Sequence, residues 1–117
     1  GIRLGNNPVL KIELEIKIKK NDCISVQAIK SNYDLKDIHI QYLLYVPWNT
    51  GKWRDYTGQI KLEQRYKNYC INCSSKKQIP LSIRCLYKKN PVICLKTFPD
   101  FNIKMTESGF TIGKEKE

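Results

Sequence analysis

Histidine and methionine occur once each, at His39 and Met105, tryptophan twice, and arginine only four times in this chain of 117 residues. A lone His39 in an alternating segment is poorly placed for acid–base work, which needs an orienting partner and a cleft. Four arginines are few for a protein that reads base edges, because arginine supplies the bidentate contact to guanine while lysine acts mostly as a point charge. Long apolar runs are lacking too. A stretch such as Leu43-Leu44-Tyr45-Val46-Pro47-Trp48 falls far short of the roughly 20 residues that a membrane-spanning helix needs. Neither a glycine-rich phosphate loop nor a hydrolase or kinase signature is present. The acidic residues number 11 and sit mostly beside lysines, as Glu13 and Glu15 do, so they read as solvated strand faces. The expectation is a chain that is not an enzyme and carries no cofactor.

What the sequence has in excess is positive charge. Against the 11 acidic residues stand 21 basic ones, for a net +10. Such a surplus attracts nucleic acid, acidic glycans, anionic lipid or acidic proteins. Lys, Ile, Asn, Tyr and Phe together fill 51 of the 117 positions. All five have AT-rich codons, so coding bias accounts for part of the lysine surplus.

Five cysteines, Cys23, Cys70, Cys73, Cys85 and Cys94, are many for a small intracellular domain and are candidates for disulfides. An odd number cannot all pair within one chain. Asn72-Cys73-Ser74 fits the glycosylation acceptor pattern, and with the cysteines it tips the expected location toward the extracellular space or cell surface. The opening residues Gly1-Ile2-Arg3-Leu4-Gly5 carry no charged-then-apolar leader and read as a processed protein or an excised domain. Cys70-Ile71-Asn72-Cys73 has the two-residue gap of a zinc knuckle, so Cys70, Cys73, Cys85 and Cys94 form an alternative metal site. The second half fits poorly, since Cys85 and Cys94 are not a tight pair.

Alternation dominates the chain. Leu10, Ile12, Leu14, Ile16 and Ile18 alternate with charged residues, Asn21-Asp22 turns, and Ile24, Val26 and Ala28 continue the pattern; this predicts a hairpin. A longer strand from Ile38 to Val46 turns apolar on both faces toward its end, at Leu43 and Tyr45. Pro47 to Gly51 breaks it, Lys52 to Tyr56 runs back, and Thr57-Gly58 turns again. Ile60 and Leu62 lead into 63–67, where a short helix or a bulge is allowed. Tyr69, Ile71 and Cys73 then read as a strand, as do 79–87, 92–96, 101–105 and 110–112, while 113–117 should fray. Pro80 implies an edge position or a strand start.

Eight or nine short strands without an amphipathic helix make this one all-β domain over 1–117, an antiparallel β-sandwich, with a partly open OB-like barrel as the alternative. The immunoglobulin pattern is missing: Cys23 and Trp48 stand far apart, and Tyr69-Cys70 lacks the tyrosine-corner sequence.

The stretch from Tyr42 to Tyr56 is the most informative, with Tyr42, Tyr45, Trp48, Trp53 and Tyr56 interleaved with Lys52 and Arg54. Tyr42 and one tryptophan are expected in the core, the remaining rings at the surface. Tyr45, Trp48, Lys52, Trp53, Arg54 and Tyr56 are the candidate ligand-binding residues, offering rings and cations to a protein partner or an acidic glycan. A nucleic-acid module that stacks bases on the same rings and holds zinc is the rival, and a structural module of a larger assembly the third possibility.

Overall fold

A computed structural model of the protein describes residues 9–49, 51–72, 78–88, 93–96 and 100–114. The first alternating run forms β1 (Val9–Lys19), with Leu10, Ile12 and Leu14 buried and the lysines and glutamates between them exposed. The chain reverses at Lys20–Asp22, where Asn21 and Asp22 adopt left-handed backbone at φ 64° and 59°, a conformation that their short polar side chains tolerate. β2 (Cys23–Ser31) returns antiparallel, from Lys19 opposite Cys23 to Ile12 opposite Ser31. Between the paired Ala28 and Lys30 one extra residue, Ile29, forms a bulge and is left 51% exposed.

Seven more strands and one helix follow: β3 (Ile38–Leu44), β4 (Arg54–Asp55), β5 (Ile60–Lys61), α1 (Gln64–Asn72), β6 (Gln78–Tyr87), β7 (Ile93–Lys96), β8 (Phe101–Thr106) and β9 (Gly109–Lys114). One sheet has the order β5-β2-β1-β7 and the other β4-β3-β6-β8-β9. The protein is an all-β sandwich rather than a barrel, with its strands divided between these two sheets. Pairing is antiparallel throughout except between β1 and β7, which run parallel from Val9 opposite Ile93 to Ile12 opposite Lys96.

One face of each sheet is hidden against the other. Leu10, Ile12, Ile24 and Ile60 from the first sheet meet Leu44, Ile79, Leu81, Ile83, Phe101 and Ile103 from the second, with Leu62 and Cys70 closing one end. Among the described residues the core is mainly aliphatic, with Cys70, Cys85, Phe101 and Phe110 beside the aliphatic side chains, and holds neither tryptophan. Tyr42, expected at its centre, is only partly buried and packs against it from β3.

Three sequence expectations are corrected, and of the two placements expected for Pro80 the strand start holds and the edge does not. Residues 69–72 are helical rather than extended, because Leu62, Tyr66, Tyr69 and Cys70 share one side at helical spacing and dock on the core through the fully buried Cys70. Pro80 lies in β6, a central strand, near its start. Its carbonyl accepts Tyr45 N–H at 3.0 Å, just where β3 has left the ladder, so its missing N–H disrupts no pair. Of the tail expected to fray over 113–117, Gly113 and Lys114 belong to β9, and 115–117 lie outside the described residues. None of Cys23, Cys70, Cys85 and Cys94 is joined in a disulfide; Cys70 and Cys85 are packed in the core as thiols, and Cys73 lies outside the described residues. Among the described residues no three His, Cys, Asp or Glu side chains gather to hold a metal ion, so Cys70, Cys85 and Cys94 form no such cluster. Among them also no helix is long and apolar enough to cross a membrane.

Tyr56 joins the two sheets at one side of the sandwich. Its backbone N–H donates to Ile40 O at 2.9 Å in one sheet, while its hydroxyl accepts Val26 N–H at 3.0 Å in the other and donates to Gly58 O at 2.6 Å. Gly58 follows at φ 118°, backbone that a side chain rarely adopts. Val26 is the first β2 residue on that side left without a β5 partner on its core face, so the phenol replaces a strand there. Tyr56→Phe is expected to leave the Val26 N–H unsatisfied and to cost roughly 1–2 kcal/mol. Urea unfolding checks this as a lower midpoint at unchanged slope; an unchanged midpoint would remove Tyr56 from this role.

Candidate functional site

After β3 the chain makes a tight turn, Val46-Pro47-Trp48-Asn49, closed by Asn49 N–H donating to Val46 O at 3.0 Å. Proline suits the second position of such a turn, where its fixed φ is already correct. Asn49 is only 5% exposed and its Nδ2 donates to Leu44 O at 3.1 Å, holding the turn against β3. Trp48, 36% exposed, is carried out to the side of the sandwich. There its ring meets Tyr66 at 5.3 Å between centroids and the edge of Tyr69 at 5.9 Å.

The opposite wall comes from the segment that crosses between sheets. Arg54 stands opposite Tyr42 in the β3–β4 pair, so it lies on the core-facing side at the very edge of its sheet. β5 then pairs with β2, and Leu62 N–H donates to Asp22 O at 2.9 Å. The Asp22 carboxylate reaches Lys67 Nζ at 2.9 Å. The β1–β2 turn thus clamps the start of α1 and presents Arg65 and Tyr66 toward Trp48.

The result is a recess of about 200 Å³ lined by Tyr42, Leu44, Trp48, Asn49, Arg54, Lys61, Glu63, Arg65 and Tyr66. Arg65 lies over the Trp48 ring at 4.9 Å and stands farther from its own neighbour Tyr66, at 5.9 Å. Three cations face one carboxylate, Glu63. None of Arg54, Lys61 and Arg65 forms an ion pair with a described residue, whereas other lysines do, as in Lys17 with Glu15 and Lys36 with Asp34. Partial burial holds the Tyr42 phenol above its ordinary pKa; the Arg54 guanidinium opposes this and the Tyr66 phenol adds to it. Tyr42 is therefore neutral at physiological pH and takes nothing from the positive charge of the recess.

Of the six residues expected from sequence, the structure brings Trp48 and Arg54 to the recess and takes the others elsewhere. Tyr56 serves the sheet junction described above. Trp53 lies on the far face of its sheet, stacked under Arg84 at 4.4 Å. There Arg84 Nε donates to Gln41 Oε1 at 2.7 Å, and Gln41 Nε2 to Asp55 Oδ1 at 2.9 Å. Tyr45 is 46% exposed beside Pro80, and Lys52 is exposed in the connection before β4. The rest of the lining, above all Lys61, Glu63, Arg65 and Tyr66, was not among those expectations. The available signal was the Arg65-Tyr66 pair in the segment allowed to be helical, and reading 69–73 as a strand hid it. Compared with known protein families, curated proteins and solved structures, the chain matches none.

The Tyr42 environment has a measurable consequence. Its phenol should ionise above the ordinary tyrosine range in an alkaline titration followed by phenolate absorbance, and Arg54→Gln should delay it further, since Arg54 lowers that pKa. Because the folded pKa is the raised one, this group contributes nothing to stability at neutral pH and costs stability as pH climbs past about 10, where the unfolded chain ionises first. Tyr42→Phe should remove the late step; its persistence would assign it to another tyrosine.

Proposed function

We propose that this chain is a non-enzymatic recognition domain of a secreted or cell-surface protein, and that it holds an acidic glycan at the recess between β4, β5 and α1. One observation carries the reading: Arg54, Lys61 and Arg65 surround a single recess without an internal ion-pair partner among the described residues. Cations held together in this way repel one another, and an external anion relieves that repulsion. The aromatic wall of Trp48 and Tyr66 suits the apolar face of a sugar ring, and the neutral Tyr42 hydroxyl and Glu63 suit its hydroxyl groups. Catalysis finds little to use there, since the lining offers one carboxylate and no histidine. An extracellular location follows from this ligand class rather than from the cysteines.

The protein-partner and nucleic-acid readings predict different behaviour. With three cations at one recess, affinity for an acidic glycan should fall with salt by no more than about three log units per log unit of salt, whereas a nucleic acid tracking the wider lysine surface would show a slope of six or more. The variant Arg54→Gln/Lys61→Gln/Arg65→Gln alters exposed side chains only and should move stability by less than about 1 kcal/mol. It should abolish retention on a heparin column at physiological salt. Full retention would overturn the reading, and undiminished binding to a single-stranded oligonucleotide with a steep salt slope would favour the nucleic-acid module.

A further inference from the structure

Among the described residues there are two arginine–tryptophan stacks, and they are wired differently. On the far face of the five-stranded sheet, Arg84 over Trp53 spends its Nε on Gln41, which in turn binds Asp55. That guanidinium is tied into the scaffold through its Nε. Arg65 over Trp48 has its flat face engaged by the ring, and no hydrogen bond or ion pair joins its guanidinium to a described residue. Stacking of this kind fixes the plane of a guanidinium while leaving its in-plane N–H groups available.

The donors around the recess come from separate directions. Arg65 projects from the first turn of α1, a turn without acidic residues, Arg54 from β4 across the recess, and Lys61 from β5 at its rim. A carboxylate presents two oxygens in one plane and is satisfied by a single bidentate arginine. A tetrahedral ester group presents three terminal oxygens that diverge, and only donors from several directions serve them all. Three cations against Glu63 leave two positive charges in the lining; a sulfate ester and a carboxylate each bring one negative charge and a phosphate ester nearly two, so it is the number and divergence of the oxygens that separates sulfate from carboxylate.

We propose that the recess is a subsite for a tetrahedral oxyanion ester on a sugar ring, a sulfate or phosphate, in preference to a sugar carboxylate. This deepens the acidic-glycan reading and rests on it. Arg54, Lys61 and Arg65 take the terminal oxygens, the ring lies toward Trp48 and Tyr66, and Glu63 accepts a sugar hydroxyl while limiting the affinity for the anion.

Isothermal titration of the 117-residue chain with a chondroitin sulfate tetrasaccharide and with its desulfated counterpart, which keeps the carboxylates, tests this. The sulfated probe should bind at least about tenfold more tightly. Arg65→Lys keeps the charge but loses the stacked fork, and should erase most of that preference with unchanged circular dichroism and melting temperature. Glu63→Gln should tighten binding of the sulfated probe by about twofold or more, as removal of a like charge requires. Galactose 6-sulfate and mannose 6-phosphate, titrated separately, identify which ester is preferred. Equal affinity for the sulfated and desulfated tetrasaccharides would overturn this inference and leave the acidic-glycan reading standing. Failure of every acidic saccharide to bind would overturn both.

Discussion

Each sheet can hide only one of its faces, and the two hidden faces must cover each other. Everything else in the molecule follows from that constraint. It explains why β1 and β6 alternate so strictly, with Leu10, Ile12 and Leu14 facing Ile79, Leu81 and Ile83 across the gap. It also explains why the large rings are not central. A layer filled by branched aliphatic side chains and two phenylalanines interdigitates closely, and both tryptophans are left for surfaces outside it.

A sandwich sealed in the middle remains open along its sides, and this chain manages one side with unusually short edge strands. β4 and β5 have two residues each and lie on different sheets. Between them Tyr56 bonds one sheet through its backbone and the other through its phenol. The opening that results is bounded by the Trp48 turn on one side and by α1 on the other, with Asp22 holding Leu62, just before α1, through its carbonyl and Lys67 of α1 through its carboxylate. The recess is therefore a product of how the edge is closed. Its walls are tied down through Asn49, Leu62 and Lys67, and walls held in this way favour a preorganised binding site.

Electrostatics separates the two faces that carry tryptophan. Around Trp53 the guanidinium of Arg84 is linked through the Gln41 amide to the Asp55 carboxylate by two hydrogen bonds. Around Trp48 cations accumulate without such a link. The same residue pair stabilises the scaffold in one place and leaves an unmet demand for negative charge in the other. Most of the net +10 of the chain has no such organisation, since lysines alternate along exposed strand faces as Lys11, Lys17 and Lys19 do.

The β1–β2 hairpin, the run-back at Arg54 and Asp55, the turns at Asn21-Asp22 and Thr57-Gly58, and the all-β class were legible in the sequence, because alternation and turn chemistry act within a few residues along the chain. The helix at Gln64–Asn72 was legible only in its first half, where 63–67 allowed one; its second half was not, since Tyr69, Ile71 and Cys73 fit a period of two as well as Leu62, Tyr66, Tyr69 and Cys70 fit a period of 3.6. Only docking of Cys70 on the core decided between them. The parallel pairing of β1 with β7 was equally hidden, as it joins residues more than eighty positions apart. For the site, the sequence marked Trp48 and Arg54 but grouped them with Trp53 and Tyr56, their neighbours along the chain. A strand sends successive side chains to opposite faces. Tertiary structure therefore parted Arg54 from Trp53 and joined it to Lys61 and Arg65, because the two sheets bring their edges together in space.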